Sequence, residues 1–143
     1  MLFRSDFAEA IDEIGAALAA LGAAYELLDE RMADRLEEEL FRPIQVAYGR
    51  AQRTHAAFAD RYGLPGRTFA PATPGVPSQG VKSFLETAVE AVGEADAILA
   101  EIQDSMMPVE VGDPELRAGL AEVRELVGAL RGRARELVRT LGR

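Results

Sequence analysis

The chain has 143 residues, enough for one domain with a sizeable core, and its hydrophobic residues are mostly Ala, Leu and Val. It contains no Cys, which excludes disulfides, thiolate catalysis and Cys-ligated metals, and no apolar run near the ~20 residues that a membrane span requires. A net charge of −8 disfavours nucleic acid and anionic lipid as partners of the whole chain.

The opening MLFRSDF lacks a basic region followed by an apolar stretch, so no secretory leader is expected and the cytoplasm is the expected location. Lys82 is the only Lys among the basic residues, an Arg bias that fits a GC-rich bacterial genome.

Ser5 is a suitable N-cap for a helix whose first acids are Asp6 and Glu9. Apolar residues then recur at Phe7, Ile11, Ile14, Leu18, Leu21, Tyr25, Leu28 and Met32, alternating steps of four and three. Gly15 and Gly22 fall in this run, where they are expected to admit a close neighbour. Between Ala23 and Arg42 there is no Gly, Pro, Asn, Ser or Thr, so local signals favour helix throughout.

The seam slips in that stretch. It passes Met32, Leu36, Leu40 and Ile44 in consecutive steps of four, a stutter, before continuing through Ala47, Ala51, His55, Phe58 and Tyr62. Pro43 predicts a kink or restart near Phe41 to Pro43, and Gly63 with Pro65 predicts a stop after Tyr62.

Residues 63–80 form a Pro- and Gly-rich connector expected to lie over the bundle, pinned by Phe69. Ser78 or Ser83 is expected to cap a third helix over about 80–106, with its seam at Val81, Leu85, Ala88, Val92, Ala95, Leu99, Ile102 and Met106. Asp113-Pro114-Glu115 opens a fourth over about 114–142, with Leu116, Leu120, Val123, Val127, Leu130, Ala134, Leu137 and Leu141 along one side.

These stripes are matched in length at ~38 Å each, which predicts an all-α, up-down four-helix-bundle cross-section from a single helical domain spanning residues 1–143. Two forms satisfy the pattern. In one, Ser5 to Tyr62 is a single long kinked helix that needs a second chain to cover it. In the other, two helices are broken near 29–43 and the bundle is monomeric. The lack of turn residues favours the long helix, and with it an antiparallel homodimer. Charge alternates along the chain: residues 5–41 and 83–115 are acidic, 42–67 and 116–143 basic. That alternation favours sequence neighbours as spatial neighbours.

No residues assemble into a recognisable catalytic set, and no cofactor or metal is expected. The sole histidine, His55, lies on a seam, and Gln52 stands where a carboxylate-bridged metal site would need Glu; its role is read as structural. Glu86, Glu90 and Glu94 form a ridge at intervals of four, a solvated face or a weak site for a cation or basic partner. Arg42, Arg50 and Arg53, with Arg131, Arg135 and Arg139, are the candidate partner surface. Gln103, Asp104, Met106 and Met107 are the candidate connector site, since Met-rich ends make adaptable contacts.

The stretch MADRLEEELFRPIQVAYGRAQRTHAAFADRY resembles the kinked helix of BAR-type membrane-curvature modules: a charged helix, a Pro, then basic residues and an aromatic. The resemblance implies antiparallel dimers of long helices and membrane-surface association; the chain departs from it in its acidity and its stop at Tyr62. The leading functional expectation is a non-enzymatic helical interaction or scaffold module working as a homodimer. The alternatives are a small-ligand-binding bundle or enzyme with an interhelical cavity, and BAR-like membrane association.

Overall fold

The computed structural model describes residues 2–70, 80–105 and 113–141. The first helix, α1 (Leu2–Leu27), starts ahead of Ser5, which lies inside it rather than at its cap. The chain then reverses within Leu28 and Asp29, and the single long helix over Ser5 to Tyr62 is not what forms.

Asp29 makes the reversal possible without Gly or Asn. Its backbone is extended at φ −69 and ψ 167, and its carboxylate accepts the Met32 amide at 2.9 Å. Its carbonyl accepts the Ala33 amide, so the new helix is supplied with its cap from the first turn. A negative-φ break of this kind carries no steric penalty for a non-glycine residue.

Beyond Asp29 the chain is helical to Arg61 in three pieces: α2 (Glu30–Leu36), a π turn (Glu37–Phe41) and α3 (Arg42–Arg61). The π turn is the physical form of the stutter, because one extra residue between Leu36 and Ile44 is absorbed by widening the turn. All of Leu36, Leu40 and Ile44 are buried as a result. It also accommodates Pro43. In a regular helix that ring would collide with the carbonyl four residues back, whereas here the Arg42 amide bonds Glu37, five residues back. Phe41 and Arg42 keep right-handed helical dihedrals, so the expected kink is taken up as a bulge rather than a break.

At the far end Gly63 adopts φ +63, as a helix-terminating glycine should. The Leu64 amide returns to the Ala59 carbonyl at 2.8 Å and the Gly63 amide to Asp60 at 3.3 Å. The connector then folds back on α1 and α3. Arg67 pairs with Asp12 at 2.9 Å and lies over the Phe69 ring, which itself packs on His55. The third rod, α4 (Gly80–Ser105), begins ahead of Ser83, leaving that residue inside the first turn; Ser78 lies outside the described residues. The fourth, α5 (Pro114–Leu141), starts as expected, with the Asp113 carboxylate accepting the Leu116 amide at 3.0 Å.

The four rods stand in a ring, α1 beside α4, α4 beside α5, α5 beside α3 and α3 beside α1. Gly15 faces Tyr48 and Phe7 faces His55, so α1 and α3 are antiparallel. Arg50 meets Glu122 while Arg61 meets Asp113, and Arg124 meets both Asp96 and Gln103 while Arg131 lies on Gly93. Each neighbouring pair is therefore antiparallel, an up-down ring. Helices α3 and α4 sit across the diagonal and run in the same direction, joined by the connector. Gly15 has the role expected of it, since a Cβ there would sit 3.2 Å from the Tyr48 ring.

The seams of α3, α4 and α5 are buried nearly as read, except that Val81 is only half-buried, Tyr62 is exposed, and Met106 and the Leu141 side chain lie outside the description. Helix α1 differs. Leu18, Tyr25 and Leu28 are only half-buried, while Ala10, Ala17, Ala20 and Ala24 are fully so. On α4, Phe84, Ala91 and Ile98 likewise form a second buried stripe beside the first. Alanines on both helices let α1 and α4 pack closely, and theirs is the most extensive joint in the bundle.

That joint sets two acidic helices side by side, and α3 beside α5 sets two basic ones; sequence neighbours are spatial neighbours for α1 with α3 and for α4 with α5, as the alternation of charge favours, but not for α3 with α4. Matched apolar stripes outweigh exposed charge, which contributes little per pair. The cost is visible at Glu13, whose pKa is raised by burial and then by Glu94, Glu9 and Asp12. A raised carboxyl pKa disfavours the folded state above it. Glu13→Gln is therefore expected to stabilise the protein at neutral pH by about 0.3 kcal/mol, the scale of a relieved like-charge pair. The gain should vanish as pH falls through the raised pKa, which urea unfolding at two pH values would show.

Candidate functional site

Because α4 descends where α5 rises, residues early in α4 stand level with residues late in α5. An interval of four on each helix brings side chains onto one side. Glu86 and Glu90 thus form one wall of a groove whose other wall is Arg135 and Arg139. Val89 and Val138 make an apolar floor, and Gly132, with no side chain, keeps it open; the groove encloses about 810 Å³.

The two walls carry opposite charge yet do not neutralise each other. Arg139 pairs instead with Glu136 on its own helix, at 2.6 Å. Among the described residues Glu86, Glu90 and Arg135 have no ion pair. The groove can therefore receive a surface or molecule of mixed charge with an apolar strip between the two signs. Nothing in it is arranged as a nucleophile with a base, and among the described residues no three His, Asp or Glu side chains come together as a metal site.

The six candidate arginines are divided by the fold. Arg135 and Arg139 share the groove, and Arg131 lies just above it with its guanidinium against Gly93. Arg42 pairs with Glu37 at 3.3 Å, Arg50 reaches across to Glu122 at 3.0 Å, and Arg53 is exposed on α3. Helix α5 thus turns three arginines towards α4, while Arg50 of α3 is occupied by α5. The acidic ridge is divided as well, Glu86 and Glu90 lining the groove and Glu94 facing Glu13.

Of the candidate connector residues, Gln103 accepts a hydrogen bond from Arg124 at 2.8 Å and Asp104 is exposed; Met106 and Met107 lie outside the described residues. His55 is buried between the rings of Phe7 and Phe69, at 5.6 and 5.3 Å, in keeping with a structural role. The sequence reading passed over Val89, Val138 and Gly132. Their only signal was a pair of apolar residues one step off each seam.

The most constrained polar cluster lies at the opposite pole. Arg61, at the end of α3, makes a bidentate pair with buried Asp113, Nη2 donating to Oδ1 at 2.8 Å and Nε to Oδ2 at 3.1 Å, and extends its third nitrogen, Nη1, to Glu115 at 2.9 Å. Burial alone would push the Asp113 carboxyl up. The Leu116 amide, the Arg61 guanidinium and the Tyr62 hydroxyl outweigh it, and the net pKa is lowered. This is a clasp between α3 and α5 with its hydrogen-bonding capacity already taken.

No helix among the described residues is long and apolar enough to cross a membrane. No family model, curated protein or solved structure matches the chain.

Proposed function

We propose that the chain is a non-enzymatic helical interaction module, cytoplasmic, that associates with a second copy of itself along the α4/α5 groove. The observation that carries this reading is the pair of oppositely charged walls at matched height on one face, which make no ion pair with each other among the described residues. A twofold axis running along the groove places α4 of one copy over α5 of the other. Glu86 and Glu90 then meet the second copy's Arg135 and Arg139, twice over, and Val89 and Val138 lose their contact with water. Isologous interfaces require such self-complementarity.

The expectation of a dimer first rested on a long uncovered helix, and that basis is gone, since each chain closes its own core. Charge complementarity supports it instead. Such pairs favour partner choice and orientation over raw affinity, so association should weaken as salt rises.

Size-exclusion chromatography with light scattering at tens of micromolar is expected to give a dimer at low salt. The double variants Glu86→Arg/Glu90→Arg and Arg135→Glu/Arg139→Glu should each be monomeric, about 100-fold or more weaker in self-association, because like charges now face each other. Mixed one to one, they should form a heterodimer, since every Arg of one then faces a Glu of the other. Circular dichroism would verify that both variants are folded. A strictly monomeric wild type, or folded variants that still dimerise alone, would overturn the proposal.

A further inference from the structure

We propose a second site, at the π turn, that binds a small organic cation of the alkylated-ammonium type. The pocket lies between α1 and the π turn, is lined by Gly22, Tyr25, Glu26, Glu37 and Phe41, and encloses about 300 Å³. Each wall supplies one aromatic ring and one carboxylate, Tyr25 and Glu26 from α1, Glu37 and Phe41 from the π turn. Gly22 leaves out the side chain that would fill the middle, the nearest atom to a Cβ there being Phe41 Cε2 at 4.0 Å. The extra residue of the π turn sets Glu37 and Phe41, four apart, against Gly22 and Glu26, also four apart.

That lining selects a class of ligand. An anion is repelled by the two carboxylates. A neutral apolar guest would strip them of water with nothing in return. A small hydrated metal ion gains nothing from the rings, and among the described residues no metal-binding cluster is present. An ammonium ion bearing methyl groups suits both halves: its charge is attracted by the carboxylates, and its weakly hydrated surface lies against the carbon of the two aromatic side chains. Arg42, which is not part of the lining, already pairs with Glu37 at 3.3 Å, so Glu26 is the lining carboxylate without an ion pair among the described residues and the guest shares Glu37 with Arg42. The volume lies at the small end of ligand pockets, which fits a headgroup and not a large ligand.

The probe is tetramethylammonium, followed by amide-resolved NMR on the full chain, with sodium chloride at equal ionic strength and the neutral isostere 3,3-dimethylbutanol as controls. Saturable shifts are expected at Gly22, Tyr25 and Phe41 with the cation only. Phe41→Leu should weaken binding about fivefold or more, and Glu37→Gln should weaken it as well. Gly22→Ala supplies a readout that a folding defect cannot imitate: the helix gains propensity and Tm should rise, while the added methyl narrows the pocket and lowers affinity.

Two arms distinguish the source of the headgroup, choline as the free form and a trimethyllysine peptide against its unmodified counterpart as the protein-borne form; whichever binds more tightly names the carrier. The inference is overturned if hundred-millimolar probe gives no saturable shift at these amides, if the neutral isostere reproduces the shifts, or if Phe41→Leu binds like the parent. The site shares no lining residue with the α4/α5 groove, so either proposal can fail while the other stands.

Discussion

Gly119→Ala is expected to destabilise the protein by about 2 kcal/mol, although alanine is the better helix former. Gly119 is buried on α5 where it crosses α3, and a Cβ there would fall 2.4 Å from Thr54 Oγ1, 2.6 Å from its Cγ2 and 3.0 Å from its Cβ. Thr54 cannot turn aside. It is β-branched, and its hydroxyl donates to the Arg50 carbonyl at 2.8 Å, which fixes the rotamer. The helices must part, opening contacts among neighbours such as Leu116, Leu120 and Ala51, all buried.

Two comparisons isolate that cause. Gly128→Ala, on the same helix with nothing within 4 Å, should stabilise by up to about 1 kcal/mol from propensity alone. Adding Thr54→Ala to Gly119→Ala removes the two nearest atoms and should recover much of the loss, a coupling of about 1–2 kcal/mol in a double-mutant cycle by urea unfolding. A Gly119→Ala protein as stable as the parent would mean that α3 and α5 are not in contact there.

The second large effect is expected at Asp113. Substitution by alanine removes the α5 cap, about 1 kcal/mol by itself, and leaves Arg61 without its bidentate partner. Asn keeps much of the cap and removes the charge, so the gap between Asp113→Asn and Asp113→Ala separates the two contributions.

The pH dependence has a definite sign. The folded pKa of Asp113 is lowered, so between it and the unfolded value near ~3.9 the unfolded chain binds more protons, and stability rises with pH. The contribution is complete above about pH 4 and is lost as pH falls through the folded pKa. Thermal unfolding from neutral pH down through that window should show the parent losing stability relative to Asp113→Asn. Parallel curves would show that the charge contributes nothing.

Much of the fold was legible because large apolar residues at helical spacing identify buried faces. Leu36, Leu40 and Ile44 even carried the π turn, as a slip in register. Alanine gave no such signal: Ala10, Ala17, Ala20 and Ala24 form a buried stripe on the helix that packs most extensively on α4. The reversal was hidden because local propensity through Leu28–Asp29 favours helix. What decides against it is burial of α3 on α1, with Asp29 offering a substitute set of hydrogen bonds. Glu86, Glu90, Arg135 and Arg139 could each be singled out from the chain, but their meeting needed the antiparallel register of α4 and α5. The pocket at Tyr25 and Phe41 was illegible for the same reason, since it depends on Gly22 standing level with the π turn.

The ring order has a consequence for how the molecule is held together. Helices α1 and α3 form one local hairpin, α4 and α5 another, and the joint between these halves is made side by side, α1 on α4 and α3 on α5. The Pro-rich stretch between Gly63 and Gly80 therefore links two hairpins whose broadest joint, α1 on α4, lies between them, and it keeps the two at high effective concentration. Because ring-closure entropy grows only logarithmically, doubling that tether would cost about 0.6 kcal/mol, whereas severing it would make folding depend on how much of each half is present.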